Sequence, residues 1–111
     1  MNITGCTAEK LEDPFGLLTG ERYEFFLDIE VDEEDELYSE KGIGLKVIYV
    51  IDDNGPKISH YYFFEKISEK VLDFALEEDE ENLVKNYCAE HIIEWQFKRD
   101  KSMIYPFLSV T

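Results

Sequence analysis

Between Arg22 and Val31 the side chains alternate, with Tyr23, Phe25, Leu27, Ile29 and Val31 set against Arg22, Glu24, Asp28 and Glu30, and only Phe26 apolar on the polar side. A period of two belongs to a strand with one buried and one wet face. Ile3 to Leu11 is expected as its partner, and Asp13-Pro14-Phe15-Gly16 with Gly20 punctuate a connection too long for a tight hairpin. Beyond Gly42 and Gly44, the run Leu45-Lys46-Val47-Ile48-Tyr49-Val50-Ile51 is dense in β-branched residues. Asn54-Gly55 then gives a strong hairpin signal, with a return strand over about Lys57 to Ile67. If Asn54 and Gly55 form the loop, Asp52 faces Lys57, Ile51 faces Ile58, Tyr49 faces His60 and Val47 faces Tyr62. That register sets ions against ions and apolar groups against apolar groups. Pro56 has no N–H for a ladder, so it suits a non-hydrogen-bonded position beside the turn and leaves a loop of three or four residues open.

Lys70 to Leu76 sets Leu72, Phe74 and Leu76 against Asp73, the pattern of a fifth strand. From Glu77 the spacing changes. Leu83, Val84, Tyr87, Cys88, Ile92 and Trp95 recur at three- and four-residue steps, which predicts an amphipathic helix over about residues 77 to 95. The acids Glu77 to Glu81 fall in its first turn, where they oppose the positive end of the helix dipole. The expected architecture is α+β: an antiparallel meander of four or five strands packed against one helix in the C-terminal half.

The length, 111 residues, suits one core, and 44% apolar residues are enough to fill it despite 33% charged ones. Residues 1–95 are read as a single acidic domain and 96–111 as an extension, basic and then apolar. The extension carries Lys98, Arg99 and Lys101 against Asp100, a net of +2, which leaves −17 of the total −15 to the first 95 residues. Met103-Ile104-Tyr105-Pro106-Phe107-Leu108 is expected to pack on the domain or on a partner subunit. The excess of 26 acidic over 11 basic side chains argues against nucleic acid and against an anionic membrane, both of which would be repelled. No run approaches the roughly 20 apolar residues of a membrane span. Ile3-Thr4-Gly5-Cys6 spells a lipoprotein cleavage box but follows no apolar run, so a cytoplasmic location is expected.

Few residues suggest chemistry. His91 falls in the middle of the helical stripe, three residues from Cys88, so a small enzyme would use His91 as base beside Cys88 or a strand carboxylate such as Asp73. The bland alternative is a hydrogen-bonded histidine at the edge of the core. His60 is expected opposite Tyr49, packed or bonded to it. Cys6 and Cys88 match no metal spacing and read as reduced, buried thiols. Asp28-Ile29-Glu30-Val31-Asp32 begins like a calcium loop, but Glu33 and Ser39 stand where glycine and glutamate are required, and Asp52-Asp53-Asn54-Gly55 fails similarly. No catalytic, cofactor or metal residue is therefore assigned. The five consecutive acids Asp32-Glu33-Glu34-Asp35-Glu36 must face water or cations.

Asn2-Ile3-Thr4-Gly5, the stretch from Lys10 to Phe25 with Asp13-Pro14-Phe15-Gly16-Leu17-Leu18-Thr19-Gly20 inside it, Leu37-Tyr38-Ser39-Glu40 and Leu72-Asp73-Phe74 resemble a family of short, uncharacterised proteins from Bacillus and relatives. The resemblance runs to about His91 and implies no assigned catalytic residue. The function expected first is a noncatalytic interaction or regulatory module that meets a basic protein surface or a second copy of itself. The enzyme built on His91 and Cys88 stands as one alternative, and an acidic mimic of nucleic acid that inhibits a basic protein stands as another.

Overall fold

The computed structural model describes the backbone of residues 1–12 and 20–108, with side chains described no further than residue 93. Among these residues the chain forms β1 (Asn2–Leu11), β2 (Glu21–Glu30), β3 (Ile43–Asp52), β4 (Gly55–Glu65), β5 (Val71–Leu72) and α1 (Glu78–Leu108). The strands lie in the order β1-β2-β3-β4-β5, each antiparallel to the next. The fold is the expected α+β meander with a helix on one face.

Alternation along β2 does what the sequence predicts. Tyr23, Phe25, Leu27 and Ile29 are buried, and Ile43, Leu45, Val47 and Tyr49 of β3 with Phe63 of β4 extend the same apolar face. Val84, Cys88 and Ile92 of α1 close it, each four residues from the next and therefore on one stripe of the helix. Burying each of the larger side chains contributes roughly 1.5–3 kcal/mol. Leu83, expected in this core, is 45% exposed. At about 100° per residue it lies more than a quarter-turn from Val84, beyond the rim of the stripe, while His91 falls at its edge, roughly 20° outside Val84. Trp95 lies outside the residues whose side chains are described.

Three boundaries differ from expectation. The helix does not end near residue 95 but runs to Leu108. From Gln96 to Tyr105 there is no glycine or proline to stop it, so backbone bonding continues past the last residue of the apolar stripe. The fifth strand is two residues long rather than seven, because the Phe74 N–H turns back to the Leu72 carbonyl at 3.0 Å and the Leu76 N–H donates to the Tyr61 hydroxyl at 2.8 Å.

The β3–β4 register is also shifted. Asp52 pairs with Gly55, Ile51 with Pro56, Tyr49 with Ile58 and, past a bulge at Ser59, Ile48 with His60 and Val47 with Tyr61. Asp53-Asn54, not Asn54-Gly55, forms the loop. The Asn54 N–H donates to Asp52 Oδ1 at 2.9 Å, and Gly55 takes up φ of +98°, which only glycine adopts readily. Asn-Gly thus sits one place later than in a mirror-image turn, with glycine as the left-handed residue that follows. Pro56 is tolerated because β5 pairs only with Phe63 and Phe64, leaving the outer side of β4 free of a strand partner there. Lys57 still reaches Asp52 at 3.2 Å, diagonally rather than directly across.

Candidate functional site

His91 meets Cys6, not Cys88. Cys6 comes from β1, 85 residues away, and its Sγ lies 3.4 Å from Nδ1 and 3.6 Å from Nε2 of the imidazole. A thiol directed at one nitrogen lone pair would stand clearly farther from the other nitrogen, so the near-equality puts the sulfur across the ring. Phe25 meets the same imidazole edge-on at 5.8 Å between centroids, and Tyr87, one helical turn earlier, lies parallel to it at 6.4 Å. These contacts hold His91 as a packed ring at the core edge. Cys88 is fully buried, and burial first, with Cys6 nearby second, pushes its thiol up to about 12. It stays protonated near neutrality and makes a poor nucleophile.

The other expected participants are dispersed. Asp73 is exposed, and His60 is exposed opposite Ile48 rather than packed on Tyr49. The shift to Ile48 follows from the hairpin register, which turns the ring to the sheet face away from α1. Cys6, expected buried, is only half-buried. Among the described residues no group of three or more His, Cys, Asp or Glu is arranged to hold a metal ion, and no helix is long and apolar enough to cross a membrane.

The two acidic runs, separated in sequence by some forty residues, do come together. A cleft of about 340 Å³ is lined by Asp35, Glu36, Glu77 and Glu80 around Val31, Leu37, Phe63 and Phe74. The meander explains this convergence. β2 and β4 run the same way and end on the same side of the sheet, so the 31–42 loop and the segment leading into α1 share that side. Leu37, 8% exposed, anchors the acidic loop in the core. Within that loop Asp35 Oδ1 accepts the Leu37 N–H at 2.8 Å, and the Asp35 N–H donates to the Asp32 carbonyl at 2.9 Å. Across the cleft, Glu80 Oε1 accepts the Glu77 N–H at 3.0 Å, the reach-back half of a capping box that starts α1. Both carboxylates are thereby fixed in place over a partly apolar floor, in which Phe74 is 38% exposed. Read along the chain, each run is explained separately, one as a solvated loop and the other as a helix start. The signal that they meet is in the strand order.

No curated protein and no solved structure matches the chain. A family model matches residues 1–95, so the chain belongs to DUF6509, a family of unknown function.

Proposed function

We propose that the protein is a noncatalytic interaction module that works in the cytoplasm and takes a basic, partly apolar segment of a partner protein into the cleft between its acidic runs. The observation that carries this reading is the convergence of Asp35, Glu36, Glu77 and Glu80 around Leu37, Phe63 and Phe74. Lysine or arginine would meet the rim, and an aliphatic or aromatic neighbour would cover the floor. A net charge of −15 speeds the approach of a basic partner and repels acidic ones. A thiol held protonated at Cys88 and a sulfur lying across the His91 ring favour this reading over the enzyme. The test compares capture of cellular proteins on the wild type and on a triple variant Asp35→Asn, Glu36→Gln, Glu80→Gln. Both amide replacements at Asp35 and Glu80 keep an oxygen that can accept the local hydrogen bond, so charge is removed without undoing the turn or the cap. A basic protein held at low salt, released at high salt and lost in the triple variant and in Phe74→Ala is the expected result. Equal recovery on all three proteins would count against the cleft.

A further inference from the structure

Glu65 is the last residue of β4, opposite Ile43 at the start of β3, and two connecting segments meet beside it. The 31–42 loop leads into β3, and the turn over residues 66–70 leads into β5. One carboxylate oxygen serves each segment. Oε2 accepts the Ser39 hydroxyl at 2.8 Å, and Oε1 accepts the Ser68 hydroxyl at 2.6 Å. Each hydroxyl oxygen accepts in turn the backbone N–H two residues further on, from Lys41 at 3.2 Å and from Lys70 at 3.3 Å. The main chain repeats the connection. The Glu65 N–H donates to the Lys70 carbonyl at 2.9 Å, the Glu65 carbonyl accepts the Glu69 N–H at 2.8 Å, and the Lys66 N–H donates to the Gly42 carbonyl at 3.0 Å. Glu69 is held at a φ of +61°, a left-handed conformation that a residue with a side chain enters at a cost.

Only an ionised carboxylate can accept from both serines as a charged partner. A neutral carboxyl turns one oxygen into a donor and removes the charge that strengthens both bonds. The Ser68 hydroxyl first and the Ser39 hydroxyl second draw the Glu65 carboxyl below its usual range against some loss of water, and Lys41 and Lys70, one from each segment, assist. Lys66, the next residue, is engaged by Asp28 of β2. The segments that meet at Glu65 are also those that reach the two walls of the acid-lined cleft. Asp35 and Glu36 lie just ahead of Ser39, in a turn where the Tyr38 N–H donates to the Asp35 carbonyl at 3.0 Å, and Phe74 and Glu77 follow Lys70 beyond the two residues of β5. We infer that Glu65 is a clasp that sets the spacing of these walls, closed while its carboxylate is ionised and loosened when it is neutral. The clasp is a property of the two segments alone, and only its bearing on a bound partner rests on the proposed function.

Amide hydrogen exchange of the full chain, resolved by residue and corrected for intrinsic rates, is the test. Near neutral pH, Glu65→Gln should raise exchange at Tyr38, Lys41 and Gly42 and at Lys66, Glu69 and Lys70 by about tenfold, the effect of losing a charge-assisted bond, with β2 and β3 amides unchanged. Ser39→Ala should free only the first group and Ser68→Ala only the second. Ser68 is exposed, so its variant keeps the fold. Because the carboxyl is lowered in the folded protein, the clasp is intact above pH 4.5 and is lost as pH falls through the lowered value. The gap between wild type and Glu65→Gln should therefore close below pH 4.5. Equal protection of the two proteins near neutral pH would overturn the inference. So would a gap that persists unchanged in acid, or serine variants that each loosen both groups alike. Exchange needs no partner, so this result and the capture of a basic protein can fail separately.

Discussion

Cys88 sits between Val84 and Ile92 on the buried stripe of α1, with its thiol displaced upward by loss of water, while Cys6, half-buried on β1, rests across the His91 ring. The difference has a measurable consequence. A disulfide-exchange reagent should label one thiol per native chain, Cys6, and reach Cys88 only at the rate of unfolding. The same burial fixes the sign of a pH effect. Cys88 is raised from 9.0 to about 12, so its folded-state pKa exceeds the unfolded one. Its contribution is fully present below pH 9.0 and is lost as pH rises through about 12, because the unfolded thiol releases its proton first. Over that window the loss is on the order of 4 kcal/mol. Cys88→Ala should lower stability at neutral pH by leaving a small cavity, yet fall less steeply between pH 9 and 12 in denaturant titrations. Parallel slopes for variant and wild type would show that Cys88 is not shielded as described. None of this pairing was legible in sequence. The three-residue spacing of Cys88 and His91 suggests a pair, but the thiol against the imidazole comes from the other end of the chain, and only the meander brings it there.

At the scale of elements, period two on β2 was legible because that strand buries one face, β3 was legible as a β-branched run because it is buried on both, and the helical stripe was legible because Val84, Cys88 and Ile92 all face that sheet. What escaped were features set by one hydrogen bond or one dihedral. The hairpin register follows from which residue takes positive φ, and the sequence Asp-Asp-Asn-Gly accommodates two answers. The fifth strand stops because a turn at Phe74 diverts the backbone, although Phe74 and Leu76 keep the alternating pattern. Gly44 is a further case, since a glycine inside a strand reads as a weakness until the ring of Phe64 is found lying over it. Gly44→Ala should therefore destabilise the protein by roughly 1–3 kcal/mol, since the new methyl group displaces that ring. Phe64→Ala in the same background should recover part of the loss, a coupling that a double-mutant cycle in urea reads directly. Additive effects would mean that the Phe64 ring does not rest on Gly44.

For the molecule as a whole, attraction and repulsion among charges can be weighed. Four ion pairs link described residues, Lys10–Glu21, Lys46–Glu24, Lys57–Asp52 and Lys66–Asp28, all with at least one partly exposed partner. Exposed pairs contribute about 0–1 kcal/mol each. Against them stand fifteen uncompensated negative charges, with Asp35 fixed by a turn on one side of a cleft and Glu80 by a cap on the other, beside Glu36 and Glu77. Repulsion on this scale outweighs the pairs, and it is the term that salt screens most. The melting temperature should therefore rise, by several degrees, between about 20 and 500 mM sodium chloride. If the cleft concentrates the repulsion, the variant with Asp35→Asn, Glu36→Gln and Glu80→Gln should melt higher than the wild type at low salt and gain less as salt is added. A wild-type melting temperature that falls with salt would make the ion pairs dominant instead. A variant that keeps the full salt increment would place the repulsion elsewhere on the surface, and with it would go the case for a preformed site where a cation-bearing segment relieves strain between fixed carboxylates.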